Sequence, residues 1–196
     1  MPRAERHSEV SASPRSIHRR RFLRWGLAAA SALFSPGVLK AAVFVPSPPA
    51  ERRLAFFNTH TAERLDACYC RAGRYDPGAL RDINHILRDH RTGEVGAVAP
   101  DLLDLLHRLC LHFEFSPSLH VISGYRSSET NAALHRKSRG VASQSLHMVG
   151  KAIDIRVPGV RTVELKTLAL SLAGGGVGYY PQPDFVHVDI GRIRSW

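Results

Sequence analysis

Ser145-Leu146-His147-Met148-Val149-Gly150-Lys151-Ala152-Ile153-Asp154-Ile155-Arg156-Val157 is the stretch on which the reading of this chain turns. From Lys151 onward the apolar Ile153, Ile155 and Val157 alternate with Ala152, Asp154 and Arg156, the period of two expected of a strand with one face in a core. Asp154 therefore points away from that core. Phe185-Val186-His187-Val188-Asp189-Ile190 repeats the arrangement, with Val186, Val188 and Ile190 on one face and Phe185, His187 and Asp189 on the other. An acid and an imidazole are thus displayed on the non-core faces of two strands. His147 lies in a loop seven residues before Asp154 and can reach back over that face.

Outward from these strands, residues 53–58 and 65–70 read as a hairpin joined by a polar turn. Leu80, Ile83, Ile86 and Leu87 fall at helical spacing within 79–90, and Leu102, Leu105, Leu106 and Leu109 within 101–112, where Pro100 suits the first turn. A strand over 119–123 and a helix over 128–137 follow, then a loop to Leu146 and the strand 151–157. A helix over 162–173 and the loop Gly174-Gly175-Gly176 lead to strands 177–180 and 185–190. Strands and helices mixed without strict alternation predict an α+β fold: a small, largely antiparallel sheet with flanking helices.

The 196 residues, 44% of them hydrophobic, suit one domain behind an export segment. Of the net charge of +10, residues 1–40 account for +6, with eight Lys or Arg against two acids. No basic cluster interleaved with aromatics occurs beyond them, so nucleic acid is not an expected partner. Arg19-Arg20-Arg21-Phe22-Leu23 ahead of the apolar run from Trp25 resembles a twin-arginine export signal, so we expect 1–42 to be a signal segment that brings the protein to the periplasm. Contact with the membrane is expected only through that segment if it stays uncut. Val45-Pro46-Ser47-Pro48-Pro49 marks 43–52 as a linker, which leaves 53–196 as the domain, expected to act as a monomer. Cys68, Cys70 and Cys110 read as buried free thiols, with one bridge from Cys110 to either of the others left open.

Two histidines and one carboxylate form a three-ligand set for a catalytic zinc, leaving a fourth position for water. Of the eleven histidines, His85, His107, His112 and His135 on predicted helices carry no such pattern. Ser145-x-His147-x-x-Gly150-x-Ala152-x-Asp154, followed by Phe185-Val186-His187-Val188-Asp189, resembles the D-Ala-D-Ala carboxypeptidase-like zinc peptidases, which share a fold with lysostaphin and the hedgehog signalling domain. The likeness is greatest to the murein endopeptidase K type. It runs from Arg53 to Trp196 and takes in Ile122-Ser123-Gly124-Tyr125-Arg126-Ser127 and Gly176-Val177-Gly178-Tyr179-Tyr180.

This resemblance implies that His147, Asp154 and His187 ligate Zn2+ and that the substrate is a peptidoglycan stem peptide, cut at an amide bond. Arg126 is a candidate to bind a substrate carboxylate or steady an oxyanion. Ser145 is expected to orient the His147 loop or the ligand, and by analogy of fold the glycine loop with Tyr179 and Tyr180 to wall the cleft. The general base is a choice of carboxylates: Asp184, implied by the resemblance because the carboxypeptidase branch places a carboxylate three residues before the last ligand, or Asp189, favoured because it shares a strand face with His187. An alternative of another class is a zinc-containing wall-binding or regulatory module that has lost catalysis.

Overall fold

The computed structural model describes residues 51–138 and 140–196, so the expected signal segment 1–42 and most of the linker 43–52 lie outside the described residues. The first strand, β1 (Glu51–Asn58), begins two residues before the expected Arg53 and pairs antiparallel with β2 (Arg64–Arg71). Asn58 closes their turn: its Oδ1 accepts from the backbone N–H groups of His60 and Thr61, while its Nδ2 donates to the Ile86 carbonyl. A two-residue β3 (Arg74–Tyr75), not anticipated from sequence, extends this edge.

Helix α1 (Pro77–Ile86) starts under an Asp76 cap that accepts from the Gly78 and Ala79 N–H groups, with proline in its first turn. It stops four residues short of the expected end at 90. The Leu87 carbonyl accepts from the Tyr125 N–H at 2.7 Å, and Gly124 sits so close that a Cβ there would lie 2.4 Å from that oxygen. The apolar spacing of 79–90 continues past the point where tertiary contacts divert the backbone. Helix α2 (Pro100–Cys110) buries Leu102, Leu103, Leu105, Leu106 and Leu109.

The remaining elements are β4 (Ser118–Ser123), α3 (Ser128–Lys137), a 3-10 turn over Leu146–Val149, β5 (Ala152–Arg156), α4 (Thr162–Ser171), β6 (Gly176–Tyr180), β7 (Phe185–Asp189) and the short β8 (Arg194–Ser195). The strands form one sheet in the order β3-β2-β1-β4-β5-β7-β6-β8, larger than the expected small sheet. Pairing is antiparallel except for β1 with β4 and β6 with β8, in line with the expected largely antiparallel α+β fold. Leu54, Phe56, Leu119, Val121, Ile153, Ile155, Val186 and Val188 join the buried leucines of α2, with Ile83 of α1 and Leu165 of α4, in one core cluster. Each fully buried Leu or Ile contributes about 1.5–3 kcal/mol by leaving water. All three cysteines are free thiols; burial raises that of Cys110 to about 12.

Candidate functional site

Register brings the acid and the imidazole together. β5 and β7 are antiparallel neighbours in which Asp154 stands directly opposite His187 on the face away from the helices. The His187 Nδ1 lies 2.8 Å from Asp154 Oδ1. His147 arrives from the 3-10 turn, which Gly150 closes at φ +62°, a left-handed conformation that side chains rarely adopt. A Cβ on Gly150 would also lie 1.9 Å from the Ala97 carbonyl oxygen, so both backbone angle and space demand glycine. The turn is tied down by Ala99 N–H to Gly150 O, Lys151 N–H to Leu146 O and Arg126 N–H to His147 O. His147 Nε2 thereby reaches within 3.2 Å of His187 Nδ1 and 3.3 Å of Asp154 Oδ1.

These three atoms are buried and lie within 4.8 Å of one another. The outer contacts of the rings decide what the cluster can hold. His147 Nδ1 is 2.7 Å from the Gly124 carbonyl, an acceptor only, so that nitrogen carries the proton and Nε2 presents its lone pair to the cluster. His187 Nε2 is 3.0 Å from Asp189 Oδ2, which accepts that nitrogen's proton and leaves Nδ1 as the nitrogen that faces the cluster. One nitrogen of each ring and a carboxylate oxygen then converge, and once the proton shared by His187 Nδ1 and Asp154 leaves, their lone pairs form an arrangement that a cation neutralises. Donor type and number suit a divalent ion such as zinc in an open three-ligand site.

Burial alone would raise the Asp154 carboxyl, but the imidazoles of His147 and His187 and their hydrogen bonds hold it well below the usual carboxylate range. Burial alone would lower His187, but hydrogen bonds to Asp154 and Asp189 raise it above its ordinary value. Asp189 is fully buried and ionised, kept far below the usual range, against the effect of burial, by His187, Arg194 and the N–H groups of Gly191 and Gly176.

The expected catalytic carboxylates do not face the cluster. Asp189 Oδ2 accepts from His187 Nε2 and from Arg194 Nη2 at 2.7 Å; its Oδ1 accepts from Gly176 N–H, Gly191 N–H and Arg194 Nη1. It sits behind the imidazole, on the nitrogen remote from Asp154. The shared strand face that favoured it as a base instead puts it in contact with the ring of His187. Asp184 lies at the exposed tip between β6 and β7 at φ +54°, where its carboxylate accepts from the Thr162 hydroxyl at 3.1 Å and sits 3.7 Å from Arg156.

A cleft of about 540 Å³ opens over the cluster, lined among others by Arg126, Ser145, Tyr180, Phe185 and Trp196. Arg126 lies 3.6 Å from Asp154 Oδ2 and donates to the Ser123 hydroxyl at 3.3 Å; its Nε is buried without a partner, and burial lowers its pKa. Ser145 begins the 3-10 turn and makes no side-chain cap bond. Tyr179 is not part of the lining. Strand alternation sends it to the α4 side, with the Lys166 ammonium 5.1 Å from its ring centre, and Tyr180 takes the cleft position.

Sequence reasoning also passed over Asp89. This residue is buried, and its carboxylate accepts from the N–H and the hydroxyl of Ser127, the N-cap of α3 and the neighbour of Arg126. Only the capping serine left a mark in the sequence.

Residues 47–196 match the family described as Peptidoglycan L,D-endopeptidase MepK. A protein of Haemophilus influenzae named probable peptidoglycan L,D-endopeptidase MepK is 39% identical over 180 residues, covering 91% of this chain and 95% of the relative. The peptidoglycan L,D-endopeptidase MepK of Escherichia coli K12 is 37% identical over 179 residues, covering 91% of this chain and 97% of the relative.

Proposed function

This chain belongs to the peptidoglycan L,D-endopeptidase MepK family, and from that premise we propose that His147, Asp154 and His187 hold a zinc ion with which it hydrolyses L,D amide bonds in cell-wall stem peptides. The observation that carries the reading is the convergence of one nitrogen from each imidazole on a single carboxylate oxygen, with the opposite nitrogens engaged by Gly124 O and Asp189. When bound, zinc would supply Lewis acidity, polarising an amide carbonyl and making a water a better nucleophile near neutral pH.

The chain's own residues do the rest. Gly124 O and Asp189 hold the outer N–H groups of His147 and His187, which orients the opposite nitrogen of each ring for a metal. Asp189 is on this reading a positioning residue: its oxygens already receive five contacts from donors, and a base needs a free lone pair within reach of the proton it removes. Arg126, mostly buried but lining the cleft, pairs with a carboxylate or with the developing negative charge of the substrate. Ser145 and the wall formed by Phe185 and Trp196 shape the channel in which the stem peptide lies.

The wall lies outside the cytoplasmic membrane, and the Arg19-Arg20-Arg21-Phe22-Leu23 pattern supports export to the periplasm by the twin-arginine route. Cell fractionation that recovers the protein only from the cytoplasm would overturn that part.

For the site itself, the purified protein is assayed for metal by elemental analysis and incubated with purified peptidoglycan, with the released fragments identified by mass spectrometry. We expect about one zinc per chain and cleavage at L,D bonds. His147→Ala should lose the metal and reduce turnover at least about a thousandfold, equivalent to roughly 4 kcal/mol of transition-state stabilisation. Full turnover in that variant rejects the metal mechanism. An inert, zinc-loaded wild-type protein that still binds peptidoglycan would instead mark a wall-binding module.

A further inference from the structure

β6 carries two adjacent tyrosines, and only the second enters the cleft. The Tyr180 ring stacks on Phe185, with centroids 4.6 Å apart and planes 20° from parallel. Its hydroxyl oxygen accepts a hydrogen bond from Trp196 Nε1 at 2.8 Å. An indole N–H is a donor only, so the phenol serves that bond as acceptor and keeps its own hydrogen for another partner. Among the described residues that hydrogen has none.

The indole is itself held in place. It packs over Gly178, where a Cβ would lie 2.7 Å from the indole ring, and it sits between the Arg194 guanidinium, 4.8 Å from its ring centre, and the His187 ring at 5.2 Å. The phenol oxygen is therefore held against Phe185 and Trp196 in the cleft that also contains the metal cluster and Arg126. Arg126 and Tyr180 both line this cleft, and each carries a hydrogen-bond donor that can answer new negative charge there.

We propose that Tyr180 is a catalytic residue: its hydroxyl donates a hydrogen bond to the scissile carbonyl oxygen as negative charge builds on it, sharing that charge with Arg126. The inference rests on the endopeptidase reading above. As the water oxygen bonds to the amide carbon, the carbonyl π pair moves onto oxygen, where the phenolic hydrogen meets it. When the C–N bond breaks, the pair returns to the carbonyl and the amine departs with a proton that began on the water. Tyr180 keeps its own proton throughout, so the contribution is electrostatic and preorganised, of the kind whose loss costs about a hundredfold in rate.

The test compares wild-type, Tyr180→Phe and Trp196→Phe proteins, full chain and zinc-loaded, on a defined cross-linked muropeptide. Tyr180→Phe should lower kcat about a hundredfold with KM within about twofold, at unchanged zinc content and melting temperature. Trp196→Phe, which frees the phenol to rotate, should lower kcat by a smaller factor. By calorimetry, a phosphinate peptide carrying a tetrahedral oxyanion should bind Tyr180→Phe more weakly in the same proportion as kcat, whereas a planar product peptide should bind equally. Wild-type kcat in Tyr180→Phe, or equal weakening for both ligands, overturns the role of Tyr180 and leaves the endopeptidase reading standing. An inert wild-type protein overturns both.

Discussion

The helix-covered face of the sheet carries Ile153, Ile155, Val186 and Val188; its other face, on the same two strands, carries Asp154 and His187. The first face meets α1, α2 and α4 through many interchangeable apolar contacts, and each side chain there adds a share of a common core. On the second face, the function of each group depends on one particular atom of its neighbour. His187 is useful to a metal only while Asp189 holds its far nitrogen, and Asp189 can do so only as an anion braced by Arg194 and the N–H groups of Gly176 and Gly191. Damage to the apolar face should therefore lower stability without touching the chemistry, and damage to the polar face should act on metal and turnover first.

The most demanding check on this contrast lies in the core. Leu106 of α2 is wholly buried, so Leu106→Ala should cost about 2–5 kcal/mol and lower the melting temperature by roughly 5–15 °C. At 25 °C, kcat per folded molecule and zinc content should match those of the wild type. A parallel fall in kcat, measured on protein shown to be folded by circular dichroism, would mean that the two faces are mechanically coupled through the strands.

A smaller effect is expected behind the His147–Asp154–His187 cluster. Asp189→Asn keeps the shape but removes the charge that fixes the His187 tautomer, and zinc affinity should fall about 10- to 100-fold in competition with a chelating dye. Turnover at saturating zinc should largely recover. A collapse of kcat with zinc affinity unchanged would instead return Asp189 to the role of general base that its strand face suggested.

How far the sequence could be read follows the same division. Period-two alternation in 151–157 and 185–190 was sufficient to assign faces, because one side of each strand is buried and a slip by one residue would expose all of its core side chains. The same logic, carried one strand further, separates Tyr179 from Tyr180, but the run Gly176-Val177-Gly178-Tyr179-Tyr180 has too little polar contrast to say which tyrosine faces the cleft. Two-residue strands such as β3 and β8 hold no period at all. The end of α1 was invisible because its apolar spacing runs past the point where Tyr125 takes the Leu87 carbonyl. Asp189 was legible as a neighbour of His187, yet the Gly176 N–H and Arg194 are set against it by the pairing of β6 with β7 and β8, and the Gly191 N–H by the turn that follows β7.

The smallest expected effect concerns Asp89, which holds the Ser127 cap of α3 beside Arg126. Its carboxyl would be raised by burial, but hydrogen bonds from Thr130, Ser127 and Arg91 hold it well below its ordinary value in the folded protein. Unfolded, it titrates near the usual ~3.9. The unfolded chain therefore binds this proton first as pH falls, and stability rises with pH through that window. The stabilisation is present in full above about pH 4 and is lost progressively below it, toward the lower folded value. Removing the charge while keeping the shape, Asp89→Asn should cost about 1.5 kcal/mol at pH 7, the value of a hydrogen bond to a charged group. Urea unfolding in chelator, which removes metal release from the comparison, should show the gap between wild type and variant shrinking at pH 3. A gap of the same size at both pH values would mean that the Asp89 side chain supports α3 and the Arg126 segment by shape alone, with no part played by its charge.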